Sequence, residues 1–217
     1  MPDFVTRRTM MVDTQVRTSD VTKFPIIDAM LRIERERFVP AGLTEAAYVG
    51  ENIELGGGRC ILDPRTLSKM LDALDVQPHE LVLDIGCAQG YSAAVLSRLA
   101  EAVVAVEEDA DMARDATAIL SEVNADNVAV IAAPLAEGSA KHGPYDVITI
   151  QGAVEQLPEA LIAQLHEGGR IACIFMEGAL GICRIGRKFD GRISWRFGFN
   201  ATAPVLPGFA SQPAFVF

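Results

Sequence analysis

Residues Val82–Tyr91, VLDIGCAQGY, decide how the rest of this chain is read. An apolar run carries an acid, Asp84. A turn built on Gly86, Ala88 and Gly90 follows, and SAAVLSRLA then has helical periodicity. An apolar strand that gives way to small residues and then to a helix is the opening unit of a nucleotide-binding sheet. Gly86 permits a sharp turn, and Ala88 and Gly90 permit close approach of a ligand to the main chain. The N–H groups at the helix start are expected to face that ligand.

A dinucleotide fingerprint requires G-x-G-x-x-G. Tyr91 stands where its third glycine belongs, which argues against a nicotinamide-dependent dehydrogenase. The spacing from Asp84 is instead D-x-G-x-A-x-G. It resembles motif I of the S-adenosylmethionine-dependent methyltransferases, with Ala88 in place of the middle glycine. The next apolar run, AVVAVEED, reaches Glu107, 23 residues beyond Asp84. A carboxylate at the end of the second strand is placed to accept from ribose hydroxyls.

Downstream of residue 81 strands and helices alternate. LVLDIG, AVVAVEE, NVAVIA, YDVITIQ and RIACIF read as strands; YSAAVLSRLA, MARDATAILSEV and PEALIAQLHE read as helices. Short loops and near-continuous apolar strands imply a parallel sheet covered on both faces. After Met176, GICRIGRKFDGRISWRFGF predicts two antiparallel strands around an Asp190-Gly191 turn. The tail, APVLPGFASQPAFVF, is expected to lie extended against the body, because its phenylalanines would otherwise be exposed.

Upstream, Phe4 to Val16 predicts an amphipathic helix. A second is expected from Thr22 as N-cap to near Arg35, with Pro25 in its first turn. Residues 41–64 centre on three glycines, 56 to 58, which predict a bending loop. Asp63-Pro64 is expected to start the helix PRTLSKMLDALD.

A formal net charge of −10 makes a nucleic-acid backbone an unsuitable partner. Arg32, Arg35 and Arg37, and the basic residues from Arg184 to Arg196, read as solvated faces. No apolar run approaches a membrane span and the N-terminus lacks a signal core, so the protein is read as soluble and cytoplasmic. Cys60, Cys87, Cys173 and Cys183 show no metal-ligand spacing and are expected to be buried thiols. His79, His142 and His166 form no metal set, and no metal is expected.

Several segments together resemble the protein-L-isoaspartate O-methyltransferase family. They are Ala29-Met30 with Arg35-Glu36-Arg37-Phe38-Val39-Pro40, Ala47-Tyr48 followed by the Gly-rich loop, motif I, Tyr145-Asp146, and LPEALIAQLHEGGR from Leu157 to Arg170. The resemblance implies a Rossmann-like class I methyltransferase fold: a mostly parallel doubly wound α/β sheet with N-terminal helices and a C-terminal antiparallel edge. It implies residues 1–78 as the helices and Gly-rich acceptor loop, and 79–217 as the S-adenosylmethionine-binding core of one compact unit. It implies methylation of the carboxylate of L-isoaspartyl residues in damaged proteins, with a protein or peptide as partner. On this resemblance Asp84, Gly86, Cys87, Ala88, Gly90 and Glu107 are the cofactor-binding positions.

Two departures stand out. Family members usually carry Thr-Ile-Ser-Gln-Pro after the Gly-rich loop, with the serine lining the acceptor site, whereas this chain has Cys60-Ile61-Leu62-Asp63-Pro64. Leu62 and Asp63 are therefore expected to shape the acceptor side, without the hydroxyl and with an added charge. The family's Gly-Asp-Gly after the third strand is replaced by Ala132-Ala133-Pro134-Leu135, which removes an acid near the adenine. Gln151 and Gly152 fall where acceptor-contacting residues often sit. The alternatives are a methyltransferase of this fold with another acceptor, and a cofactor-fold protein that has lost catalysis. Oligomeric state is not legible.

Overall fold

The computed structural model describes residues 3–211. Seven strands form one sheet: β3 (Leu81–Ile85), β4 (Ala102–Glu107), β5 (Val128–Ala132), β6 (Tyr145–Val154), β7 (Leu165–Glu177), β8 (Leu180–Phe189) and β9 (Arg192–Asn200). Their order is β5-β4-β3-β6-β7-β8-β9. The pairs from β5 to β7 are parallel, and β8 and β9 are antiparallel additions at one edge. Before the sheet lie α1 (Phe4–Met11), α2 (Phe24–Arg32), the small hairpin β1 (Ile53–Gly56) and β2 (Arg59–Ile61), and α3 (Pro64–Leu74). The intervening helices are α4 (Tyr91–Leu96), α5 (Ala110–Glu122) and α6 (Glu159–Ala163).

The apolar strands alternate their side chains between two cores. Val82, Val103, Ala105 and Val147 join the N-terminal helices, α3, α4 and α5 in one cluster. Leu83, Ile85, Val104, Val106, Ile148 and Ile150 face the other way, where Leu135, Leu161, Leu206 and Phe209 cover them. Helices α4 and α5 thus lie on one face and α6 on the other. The chain switches faces between β3 and β6, and in open sheets of this kind the crevice at the carboxyl ends of those two strands is where ligands bind.

The structure refines several expectations. The first helix ends as α at Met11 and continues through a π turn at Val12–Val16 and a 3₁₀ turn at Arg17–Ser19. The second starts from Lys23 rather than Thr22 and stops at Arg32; Arg35–Phe38 make a separate 3₁₀ turn. The Gly-rich loop is the turn of the hairpin β1–β2. Helix α6 spans half its expected length because the chain turns at Gln164 and enters β7 at Leu165, and Lys188 Nζ holds the carbonyls of Ile162 and Leu165 across that turn. The tail does lie extended on the body as far as it is described; Phe215 and Phe217 fall outside the described residues. All four cysteines are free and buried, as expected. Arg35 corrects the reading of its cluster as solvated: it is fully buried, with Nε on Ala47 O and Nη2 on Leu62 O. Among the described residues no helix is long and apolar enough to cross a membrane, and no group of side chains could hold a metal.

Asp190 and Gly191 turn the β8–β9 hairpin with φ of 48° and 73°, the doubly positive pair of a type I′ turn. A methyl group at Gly191 would meet nothing, so Gly191→Ala isolates the backbone cost. The expected loss is about 1 kcal/mol, read as a fall of roughly 2–4 °C in melting temperature.

Candidate active site

Asp84 lies one residue before the end of β3, fully buried. Its two oxygens are taken separately: Ser92 Oγ, from α4, donates at 2.6 Å, and Gln151 Nε2, from β6, donates at 2.7 Å. Burial pushes the Asp84 carboxyl up to about 7, against the pull of these two donors. Gln151 reaches Asp84 because β6 bulges there: Thr149 pairs with Ala172 but Ala153 with Ile174.

Glu107 ends β4 with no exposed surface. Four donor groups surround its carboxylate. Arg59 Nε lies 3.0 Å from both oxygens, Arg59 Nη2 lies 2.9 Å from one, and the amides of Ala88 and Asp109 each donate at 3.0 Å. Arg59 is the first residue of β2, directly after the glycine turn, and is itself buried. The motif turn also satisfies itself. The amides of Gly86 and Cys87 donate to Val106 O, that of Ala88 to Glu107, and that of Gly90 to Cys87 O. These four amides are therefore not open to a ligand; the helix-start amides expected to face one begin at Tyr91, beyond this set. Cys87 and Ala88 are buried, and Ala88 takes the left-handed φ of +48°.

Leu62, expected on the acceptor side, is buried. With Cys87, Tyr91, Ser92 and Gln151 it closes on a cavity of about 10 Å³, room for one water at most. The Arg35 guanidinium stacks 4.6 Å from the Tyr91 ring centroid behind it. Asp63 faces away from this point. Its carboxylate accepts from Thr66 N at 2.9 Å and caps α3 as expected. It also borders a cavity of about 710 Å³ shared with Glu51, Asn52, Thr66, Leu180 and Thr202. Leu62 and Asp63, adjacent in sequence, therefore serve two different spaces.

The second-face core reaches the ends of β3 and β6. Leu206 packs so that a methyl group at Gly86 would stand 3.1 Å from its Cδ1, and one at Gly152 would stand 2.6 Å from its Cδ2. Leu206 and Phe209 are both buried. Arg59, Ser92 and Leu206 were not singled out by the sequence reading. Arg59 had one signal, a cation directly after a glycine turn. Leu206 sat in an apolar tail whose target no local pattern names.

A face switch between β3 and β6, with acids near the ends of adjacent strands and an acceptor loop above them, defines the class I methyltransferase fold. A solved protein-L-isoaspartate O-methyltransferase superposes with a TM-score of 0.82 at 23% identity over 93% of this chain and 66% of that one. A Plasmodium falciparum chain of the same description, in complex with S-adenosyl-L-homocysteine, gives 0.78 at 17% identity over 92% and 97%. The family model for protein-L-isoaspartate(D-aspartate) O-methyltransferase matches residues 6–196. A protein of that name from Koribacter versatilis is 35% identical over 88% of this chain and 86% of its own, and one from Methylorubrum extorquens 32% identical over 96% and 92%. The chain belongs to this family, S-adenosylmethionine-dependent enzymes that methylate isoaspartyl carboxylates.

Within the chain Glu107 is engaged by Arg59, and Leu206 packs beside Gly86 and Gly152.

Removing Arg59 leaves the Glu107 charge buried without its cation, so Arg59→Ala is expected to cost about 3–5 kcal/mol in urea unfolding. Adding Glu107→Leu to that variant should recover part of the loss, a non-additivity that a double-mutant cycle measures. Asp84 is predicted to hold its proton longer in the folded than in the unfolded chain. Its contribution to stability is present below the unfolded value near 4 and is lost as pH rises towards 7. Melting curves of the chain and of Asp84→Asn between pH 4 and pH 8 should therefore diverge with rising pH, the variant gaining on the order of 4 kcal/mol. Parallel curves would reject the shift.

Proposed function

We propose that this chain transfers the methyl group of S-adenosylmethionine to the free α-carboxylate at L-isoaspartyl sites in proteins. The observation that carries the reading is the continuous family match from residue 6 to residue 196, which includes the acceptor loop and the sheet together. Asp84 and Glu107, the acids that the resemblance assigns to the cofactor, support it by standing near the ends of adjacent strands β3 and β4.

The cofactor supplies an activated methyl carbon when bound. The acceptor is an ionised carboxylate at neutral pH, so no general base is required of the protein. What the protein must provide is position and exclusion of water. Leu62, Tyr91 and Cys87 make the wall beside Gln151 apolar, and they suit the second task. The 710 Å³ cavity bordered by Asn52 and Asp63 is broad enough to receive a polypeptide approaching the loop. Asp63 acts there through its helix cap and a general negative field, which disfavours acidic neighbours of the target residue. A second reading, a cofactor-fold protein that no longer transfers methyl groups, is favoured by one observation, the buried Leu62 where the family carries a serine.

The deciding measurement is transfer of labelled methyl to an L-isoaspartyl peptide beside its aspartyl twin. Label on the isoaspartyl peptide alone is expected. A folded chain that binds the cofactor and labels neither peptide would overturn the proposal.

A further inference from the structure

Both oxygens of Glu107 are fully engaged from within the chain. Oε1 accepts from Arg59 Nη2 at 2.9 Å, from Arg59 Nε at 3.0 Å and from the Asp109 amide at 3.0 Å. Oε2 accepts from the same Nε and from the Ala88 amide, each at 3.0 Å. A carboxylate offers about four lone-pair sites, so these bonds leave none for a pair of hydroxyls. The two amides belong to the backbone of the motif turn and of the start of α5, and they stay where the fold puts them. Arg59 is the one side chain among these donors, and a side chain can move. A second acid stands beside it. Arg59 Nη2 lies 3.4 Å from Oε1 of Glu108, whose side chain is 34% exposed while that of Arg59 is 3% exposed. The other Glu108 oxygen takes a long bond of 3.5 Å from the Leu135 amide, so Glu108 has acceptor capacity to spare.

We propose that Arg59 is a positioning residue of the cofactor site: its guanidinium holds the Glu107 acceptors that the ribose hydroxyls need, and it passes to Glu108 when the cofactor enters; this rests on the assignment of Glu107 to the ribose. The exchange keeps every charge paired. The ribose hydroxyls donate to Glu107 in place of Arg59, and the guanidinium turns to a carboxylate that it already touches and that is open to water on one side. Without Glu108 the displaced cation would be stranded in a buried position, which is costly. Arg59 and Glu108 thus set the cofactor's affinity through Glu107 without contacting the ribose themselves. A protein whose binding-competent form is a minor fraction binds with an affinity reduced by that fraction, and here the competent form is the one with Arg59 on Glu108.

Isothermal titration with S-adenosylhomocysteine, and with its analogue lacking the ribose hydroxyls, tests this on the full chain, Arg59→Gln and Glu108→Gln. Arg59→Gln should bind S-adenosylhomocysteine about tenfold more tightly than the full chain. It should also lose more affinity than the full chain does when the hydroxyls are removed, a dependence that a purely structural ion pair would not produce. Glu108→Gln should bind several-fold more weakly. The Arg59 Nε–H resonance of the unaltered full chain gives a further reading, and neither it nor Glu108→Gln depends on Arg59→Gln folding. Saturating S-adenosylhomocysteine should shift that resonance. Equal affinities in the proteins that fold, no binding by any of them, or binding to the full chain with the Arg59 resonance unmoved would each overturn the proposal. The same measurements separate it from the methylation reading. A full chain that binds with the resonance shifted but labels no isoaspartyl peptide keeps the role of Arg59 and rejects that reading. Label on the peptide with the resonance unmoved does the opposite.

Discussion

The end of the sheet is organised around one buried carboxylate. Glu107 collects the Arg59 guanidinium, the Ala88 amide and the Asp109 amide within 3.0 Å. Those partners come from the β1–β2 hairpin, from the turn after β3 and from the start of α5. A charge taken out of water is tolerated only when its lone pairs are satisfied, so the position of each segment is fixed by the others. The turn after β3 illustrates the effect. Ala88 accepts a left-handed backbone because its amide then points at Glu107.

A second constraint is topological. Because β3 to β5 carry their helices on one face and α6 lies on the other, the second face has less helix to cover it. Leu135, Leu161, Leu206 and Phe209 do that work. Two of the covering residues, Leu206 and Phe209, come from the segment after β9, which thus completes the second core.

The strands, α3 and α5, the Asp190-Gly191 turn and the buried cysteines were legible because each rests on local periodicity, capping or turn chemistry. Helix α6 was overextended because its end is decided by Lys188, twenty-three residues beyond Leu165, whose carbonyl it caps. Asp84 and Glu107 were legible as acids at the ends of adjacent strands. Their partners were not, since Arg59, Ser92 and Gln151 meet them only after the hairpin, α4 and the β6 bulge have been placed. Arg35 shows the same limit from the other side. A guanidinium in a run of charges reads as exposed, yet its bonds to the Ala47 and Leu62 carbonyls and its stacking on Tyr91 bury it.

The covering of the second face has a consequence for the order in which the molecule is completed. Leu206 and Phe209 lie at the far end of the chain, whereas the residues they cover begin at Leu83. A growing polypeptide can pair β3 with β4 and β5 early, but the apolar face of Leu83, Ile85, Ile148 and Ile150 waits for nearly the whole chain to emerge. Contacts of that sequence separation are slow to close. A nascent chain halted before Val205 would present this face uncovered, a surface of the kind chaperones retain.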